Sequence, residues 1–227
     1  MTPGRAKSIP KCRAIDMTLA ELRREYTLAG LRRADMEADP IAQFQNWFTQ
    51  AMEAEIVEPN AMTLATVNAD GQPSTRIVLL KAVDQRGFSF YTNYESRKGR
   101  ELAENPKASL TFFWVGLERQ ISVQGTVSKL SREESEAYFA VRPLGSQRGA
   151  WVSKQSTIVE NRDYLEKRLS EVEAQYGDKV PMPPYWGGYV LAPNSVEFWQ
   201  GRPSRLHDRL RYRKNPDGSW FIERLSP

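Results

Sequence analysis

The 227-residue chain has one cysteine, Cys12, and one histidine, His207. One cysteine cannot close an internal disulfide, so a reducing, cytoplasmic setting is the simpler reading. A metal site of the His/Cys type lacks its ligands. No apolar run approaches the length that spans a bilayer. The opening MTPGRAKSIPKCRAIDM has no apolar core of a secretory signal. It is basic and short of acids, which leaves a transit peptide as the alternative to a disordered tail over residues 1–17. No G-x-G-x-x-G follows a strand, and there is neither a P-loop nor a G-x-S-x-G elbow. Without a second histidine there is no conventional hydrolase triad. If such a chain is an enzyme, a cofactor must supply the difficult chemistry.

What is present is ordinary globular material. Hydrophobic residues at 40% are enough for a real core over residues 18–227, read as one domain. Lys plus Arg exceed Asp plus Glu by 32 to 28, a mild excess that suits phosphate-bearing ligands as well as nucleic acid. Thr18 and Glu21 have capping-box spacing and predict a helix from Glu21 to about Gly30. Asp39-Pro40 opens a second helix whose Ile41, Phe44, Trp47, Phe48 and Ala51 share one face. From residue 61 the rhythm is that of strands: 61–67, an Asp70-Gly71 turn, 73–81, 88–93, 108–114 and 119–127. Ser96 caps a short helix before Asn105-Pro106. Ser131 and Glu134 start another that stops at Arg142-Pro143. The stretch 145–156 reads as polar connection, and a charged helix follows from about 160 to 176. Two strands, GGYVLAP and SVEFWQG, then HDRLRYR and SWFIERL close the chain. Short antiparallel strands broken by helices predict an α+β, mainly antiparallel β-barrel-like fold.

Four clusters carry chemistry. Arg76 and Lys81 bracket an apolar strand, and their odd spacing points them to opposite faces of a regular one. Tyr91-Thr92-Asn93-Tyr94-Glu95-Ser96-Arg97-Lys98 runs from a strand end into a helix start, where N–H groups and two cations favour an anion. Tyr138 and Arg142 are four apart on a helix, with Ser146 just beyond. Arg205, His207 and Arg209 would share one face of a strand and repel unless a carboxylate or anionic ligand answers them. Solvated strand and helix ends are the competing reading of each.

Together these segments resemble the pyridoxamine 5'-phosphate oxidase family. R-I-V-L-L-K, Y-T-N-x-x-S-R-K, L-E-R-Q, Y-F-x-x-R-P-x-x-S-Q, W-V-S-K-Q-S, E-F-W-Q-G and R-L-H-D-R occur in order, from about Leu22 to Pro227. The resemblance implies an FMN-binding split β-barrel with peripheral helices, and a homodimer with FMN at the interface. FMN contacts would be Arg76, Ile77, Val78, Leu79, Leu80, Lys81, Tyr91, Thr92, Ser96, Arg97, Lys98 and Gln120. The partner chain would add Gln155, Ser156, Trp199 and Arg209. Substrate phosphate would lie against Lys81, Tyr138, Arg142 and Ser146. Arg205, Leu206 and His207 would meet the pyridine ring, with Arg205 and His207 catalytic, under a lid of Arg23, Arg24, Glu25 and Tyr26. The implied reaction turns pyridoxamine or pyridoxine 5'-phosphate into pyridoxal 5'-phosphate. Hydride passes from C4' to flavin N5, and O2 reoxidises the flavin to give H2O2. Ala140 and Val141 depart from the family's His-Ser, and Arg148 replaces an apolar residue. The alternatives are a non-catalytic flavin-binding split barrel and a basic barrel that binds nucleic acid.

Overall fold

A computed structural model of the chain describes residues 25–227. Helix α1 (Pro40–Glu53) starts where the Asp39 carboxylate accepts the Ile41 N–H at 3.1 Å. Pro40 fills the first turn, where an N–H would have no helical partner. Its apolar face delivers Phe44 edge-on to Phe88 at 4.9 Å and tilted against Phe112 at 5.0 Å. Strands β1 (Ala61–Val67) and β2 (Pro73–Leu79) form the expected hairpin, with Gly71 at φ 81° in its turn. After β3 (Ala82–Asp84) and β4 (Gly87–Asn93), Ser96 caps helix α2 (Arg97–Glu104). Strands β5 (Lys107–Trp114) and β6 (Arg119–Lys129) pair along their length. Helix α3 (Arg132–Ala140) begins with a complete capping box between Ser131 and Glu134. Then come α4 (Leu144–Val152), α5 (Arg162–Tyr176), β7 (Trp186–Gln200), β8 (Asp208–Lys214) and β9 (Trp220–Leu225).

All nine strands join one antiparallel sheet in the order β2-β1-β5-β6-β7-β4-β3, with β8 on β7 and β9 on β8. The long strand β7 makes the sheet fork. One edge pairs with β6; the other pairs first with β4 (Trp186 to Leu191) and then with β8 (Ser195 to Gln200). Pro193 sits at the fork, between the two partners, where its missing N–H costs no ladder bond. Opposite it the β6–β7 register shifts between Gln124 and Gly125, a bulge that absorbs the extra residue. The core of Phe44, Leu64, Phe88, Phe90, Leu110, Phe112, Ile121 and Phe198 is sealed from solvent.

Four expectations need correction. The two strands read across 187–201 are one, because the Pro193-Asn194 break is a bulge. The stretch 145–156 is helical to Val152. Residues 18–24 of the first predicted helix lie outside the described residues, and 25–30 are not helical. There the Thr27 and Leu28 N–H groups donate to the buried Glu118 carboxylate at 2.9 and 3.1 Å instead of to their own turn. Finally, β8 begins only at Asp208, and Arg205 ends a 3-10 turn with φ 61°. Strand alternation therefore does not align Arg205, His207 and Arg209. Among the described residues, no helix is long and apolar enough to cross a membrane.

Candidate active site

A cleft of about 890 Å³ opens where the edge strand β2 faces the N-terminus of α2 and the α3–α4 corner. Ser74 to Leu79 line it in succession, as an open strand edge does rather than one strand face. Lys81 lines it too, although its separation of five from Arg76 would put it on the opposite face of a regular strand. The chain leaves the strand after Leu79, where the Leu80 N–H donates to the Asn60 carbonyl at 2.8 Å, and that break frees Lys81 to turn inward.

Five cations reach the wall: Arg76, Lys81, Arg97, Lys98 and Arg142; no carboxylate does. Lys98 is buried, and its ammonium donates only to neutral oxygens: Gln155 Oε1 at 2.8 Å, Thr92 Oγ1 at 3.1 Å and Ser96 Oγ at 3.4 Å. Burial lowers its pKa to about 8, and the neighbouring Arg76 adds to the effect. Arg142 projects from the end of α3 with its guanidinium 4.6 Å above the Trp186 ring. Its Nη1 is buried with no hydrogen-bond partner among the described residues, and burial lowers its pKa. Beside it, Tyr91 stacks on Tyr138 at 4.0 Å and on Trp186 at 5.5 Å, forming a flat aromatic shelf. Gly188 pairs with Tyr91 across the strands, and a Cβ there would press on the Tyr91 ring at 2.8 Å.

Of the residues singled out in the sequence, Arg76, Ile77, Val78, Leu79, Lys81, Tyr91, Thr92, Arg97, Lys98, Tyr138, Arg142, Ser146, Gln155 and Ser156 line this one cleft. Gln155 and Ser156, expected from a partner chain, line the chain's own cleft here, where Gln155 Oε1 accepts from Lys98 Nζ at 2.8 Å. Leu80 and Ser96 do not line it. The Leu80 side chain belongs to the core, and Ser96 is fully buried as the cap of α2, accepting the Gly99 N–H at 3.3 Å. Ser96 shapes the helix start that presents Arg97 and Lys98.

A second group gathers elsewhere. Gln120, Trp199 and Arg209 stand opposite one another across β6, β7 and β8. Trp199 lies 4.6 Å from the His207 ring and 5.6 Å from Tyr26, which also meets His207 at 5.8 Å. His207 Nδ1 accepts the Arg202 N–H at 3.1 Å, which leaves Nε2 to carry the proton of the neutral ring. Arg209 is held bidentate by Glu197 at 2.7 and 3.0 Å, so a carboxylate answers its charge. Arg205 and Leu206 are exposed on the adjacent turn, and Glu25 is exposed beside Tyr26. Arg23 and Arg24 lie outside the described residues. None of this second group lines the cleft.

Sequence reasoning passed over Trp186, Gly149, Ala150 and Ser153 of the wall, and Glu101 behind it. Only Glu101 had a signal, its i,i+4 spacing from Arg97.

A forked antiparallel sheet with peripheral helices is the fold of the FMN-binding split-barrel proteins. A pyridoxamine 5'-phosphate oxidase-related, FMN-binding protein from Nostoc punctiforme shares this fold with TM-score 0.67 at 16% identity, over 85% of this chain and 100% of that one. The family model described as pyridoxamine 5'-phosphate oxidase matches residues 48–176. The one described as pyridoxine 5'-phosphate oxidase C-terminal dimerisation region matches residues 186–227. The chain belongs to the pyridoxamine 5'-phosphate oxidase family of oxidoreductases. It is 61% identical to the pyridoxine/pyridoxamine 5'-phosphate oxidase of Cupriavidus pinatubonensis, over 92% of this chain and 99% of that protein. A Burkholderia lata protein of the same name is 58% identical over 92% of this chain and 99% of its own. The structure of PhzG from Burkholderia lata 383, in complex with tetrahydrophenazine-1-carboxylic acid, aligns with TM-score 0.81 at 34% identity, over 86% of this chain and 95% of that one.

The residues present fit a phosphorylated flavin. Its phosphate needs cations without competing carboxylates at the wall, and its flat ring system needs an apolar or aromatic surface beside open backbone groups. The cleft offers all of these.

Proposed function

We propose that the protein is an FMN-dependent oxidase that converts pyridoxamine 5'-phosphate and pyridoxine 5'-phosphate to pyridoxal 5'-phosphate. The observation that carries this reading is Arg142, half-buried, whose buried Nη1 has no partner among the described residues, in a cleft that already holds four other cations. A buried unsatisfied donor on a cation is costly unless an anion completes it. Five cations against the carboxylate of Glu101 bonded behind them leave about four positive charges, close to the charge of two phosphate dianions. One phosphate belongs to the flavin and the other to the substrate.

On this reading Arg76, Arg97 and Lys98 hold the flavin phosphate, with Thr92, Gln155 and Ser156 beside it. Lys81, Tyr138, Arg142 and Ser146 hold the substrate phosphate. FMN, when bound, supplies the two-electron acceptor that O2 regenerates. The protein contributes position and charge. His207, fixed by the Arg202 N–H at Nδ1, offers its Nε2–H to a polar atom on the substrate ring. Arg205, exposed on its turn, lies against that ring. Gln120, Trp199, Arg205, His207 and Arg209 stand apart from the cleft, and the C-terminal segment that carries most of them matches a dimerisation region. We infer that a homodimer sets this second group of one chain over the cleft of the other.

The likeness to PhzG supports a second reading, oxidation of a reduced phenazine carboxylate. The Burkholderia lata protein named as the oxidase is 58% identical to this chain, and PhzG from that organism is 34% identical. Mixing the FMN-loaded protein with pyridoxamine 5'-phosphate in air tests the proposal. Aldehyde and peroxide should appear together. Turnover of tetrahydrophenazine-1-carboxylic acid with none of the phosphate ester would overturn it.

A further inference from the structure

Behind the cationic wall of this cleft lies a carboxylate. Glu101 lies on the inner side of α2, with its side chain only 5% exposed. Its Oε2 accepts from the Thr66 hydroxyl, from Ser74 Oγ at 2.6 Å and from Arg76 Nη2 at 3.2 Å. Its Oε1 accepts from Arg97 Nε at 2.8 Å. Two arginines from different elements, the edge strand β2 and the first turn of α2, are thereby tied to one carboxyl group. Arg76 is further fixed by the Leu64 carbonyl at 3.2 Å and by the Thr66 and Ser74 hydroxyls, both at 2.5 Å. The hydroxyls turn their protons to the carboxylate and their lone pairs to the guanidinium. Nothing in this arrangement touches the aromatic shelf or the substrate half of the cleft.

We propose that Glu101 is the positioning residue of the flavin phosphate site: it aims Arg76 and Arg97 and supplies the counter-charge that lets Arg76, Arg97 and Lys98 crowd together. This rests on the reading that the cleft takes FMN. Simple Coulomb counting gives the opposite sign, since removing an acid adds one positive charge near the phosphate. Two facts cancel that gain. Arg97 is 55% exposed on its side chain, so without its carboxylate it turns to water. Lys98 faces Arg76 from β2, Glu101 from its own helix, and otherwise the neutral Thr92, Ser96 and Gln155. Burial and Arg76 lower its pKa to about 8 against the opposing pull of Glu101, so loss of the acid lowers it further. The carboxylate keeps the site cationic.

The test is binding of FMN and of riboflavin to the full-length apoprotein, read by quenching of flavin fluorescence between pH 6.5 and 9. Wild type should prefer FMN. Glu101→Gln should weaken FMN by about tenfold or more at pH 7.5, leave riboflavin unchanged, and move the alkaline loss of FMN affinity to lower pH. Equal or tighter FMN binding by the variant would overturn the proposal and leave the FMN reading intact. So would an equal loss of both flavins, which marks a merely structural role. A wild type that shows no preference for FMN would remove the reading beneath it. Where Glu101→Gln does not fold, Thr66→Val removes one hydroxyl from the same network and should show a smaller, FMN-only loss. An unchanged FMN preference in that variant would again count against the proposal.

Discussion

Lys98 is buried and Arg142 half-buried, their partners differ, and so do their tests. Arg142 has an unpartnered nitrogen and no ionic mate, so removing it leaves no orphaned carboxylate behind. Arg142→Met should therefore fold normally and retain flavin. It should lose the charge-assisted bond to substrate phosphate, worth about 1.5–3 kcal/mol, a fall in kcat/KM of roughly 10–100-fold. Steady-state kinetics on preparations matched for flavin content measure this. Lys98 is fully bonded, but to neutral acceptors. Its folded pKa of about 8 lies below the 10.5 of the unfolded chain, so the unfolded state binds more protons between those values. Apoprotein stability should then rise as pH goes from about 8 towards 10.5. FMN affinity should fall over the same range, because the phosphate favours the protonated lysine and is itself already a dianion. Denaturation midpoints and FMN titrations across that window should move in opposite directions. Lys98→Met should flatten both.

At the scale of elements, α4 is a wall of the cleft that the sequence reading took for polar connection. It contributes Ser146, Gly149 and Ala150 to the cleft and leads into Ser153, Gln155 and Ser156. Arg148 pins it to the end of α5, through Glu173 at 3.0 Å, the Gly177 carbonyl at 2.9 Å and Asp178 at 3.2 Å. Arg148→Met should cost about 1 kcal/mol, because the partners are largely exposed. That is a fall of roughly 2–4 °C in Tm for a chain of this size, with a raised substrate KM. Thermal denaturation together with kinetics checks both. Elements with local chemistry could be read in advance. Asp39-Pro40, Ser96, the Ser131–Glu134 box and the Gly71 turn each satisfy backbone groups within a few residues. The long β7 could not, because only its partners β4, β6 and β8 show that Pro193 is a bulge at a fork. Helix α4 was hidden for a similar reason: the apolar Trp151 docks on distant Tyr176 and Pro181, while Gly145 and Gly149 weaken the local signal. Of the site, the cations at 76, 97, 98 and 142 were visible in sequence. Trp186 and the buried Glu101 become meaningful only once the sheet brings them to the cleft.

The molecule as a whole divides its functional residues into two groups that one chain does not bring to one cleft. Arg142 belongs to the cleft; Arg205 lies on the turn beside Trp199 and His207, near the start of β8. If each active site joins the cleft of one chain to the turn of its partner, defects in the two groups must complement. On this account the Arg142→Met and Arg205→Ala homodimers each fall about tenfold or more below wild type when assayed at limiting substrate. Dissociated and reassociated at random, half of the dimers are mixed, and each mixed dimer carries one site with both defects and one with none. Turnover of pyridoxamine 5'-phosphate should recover to about a quarter of wild type. Recovery no higher than either parent, with mixed dimers demonstrably formed, would contradict a site shared between chains.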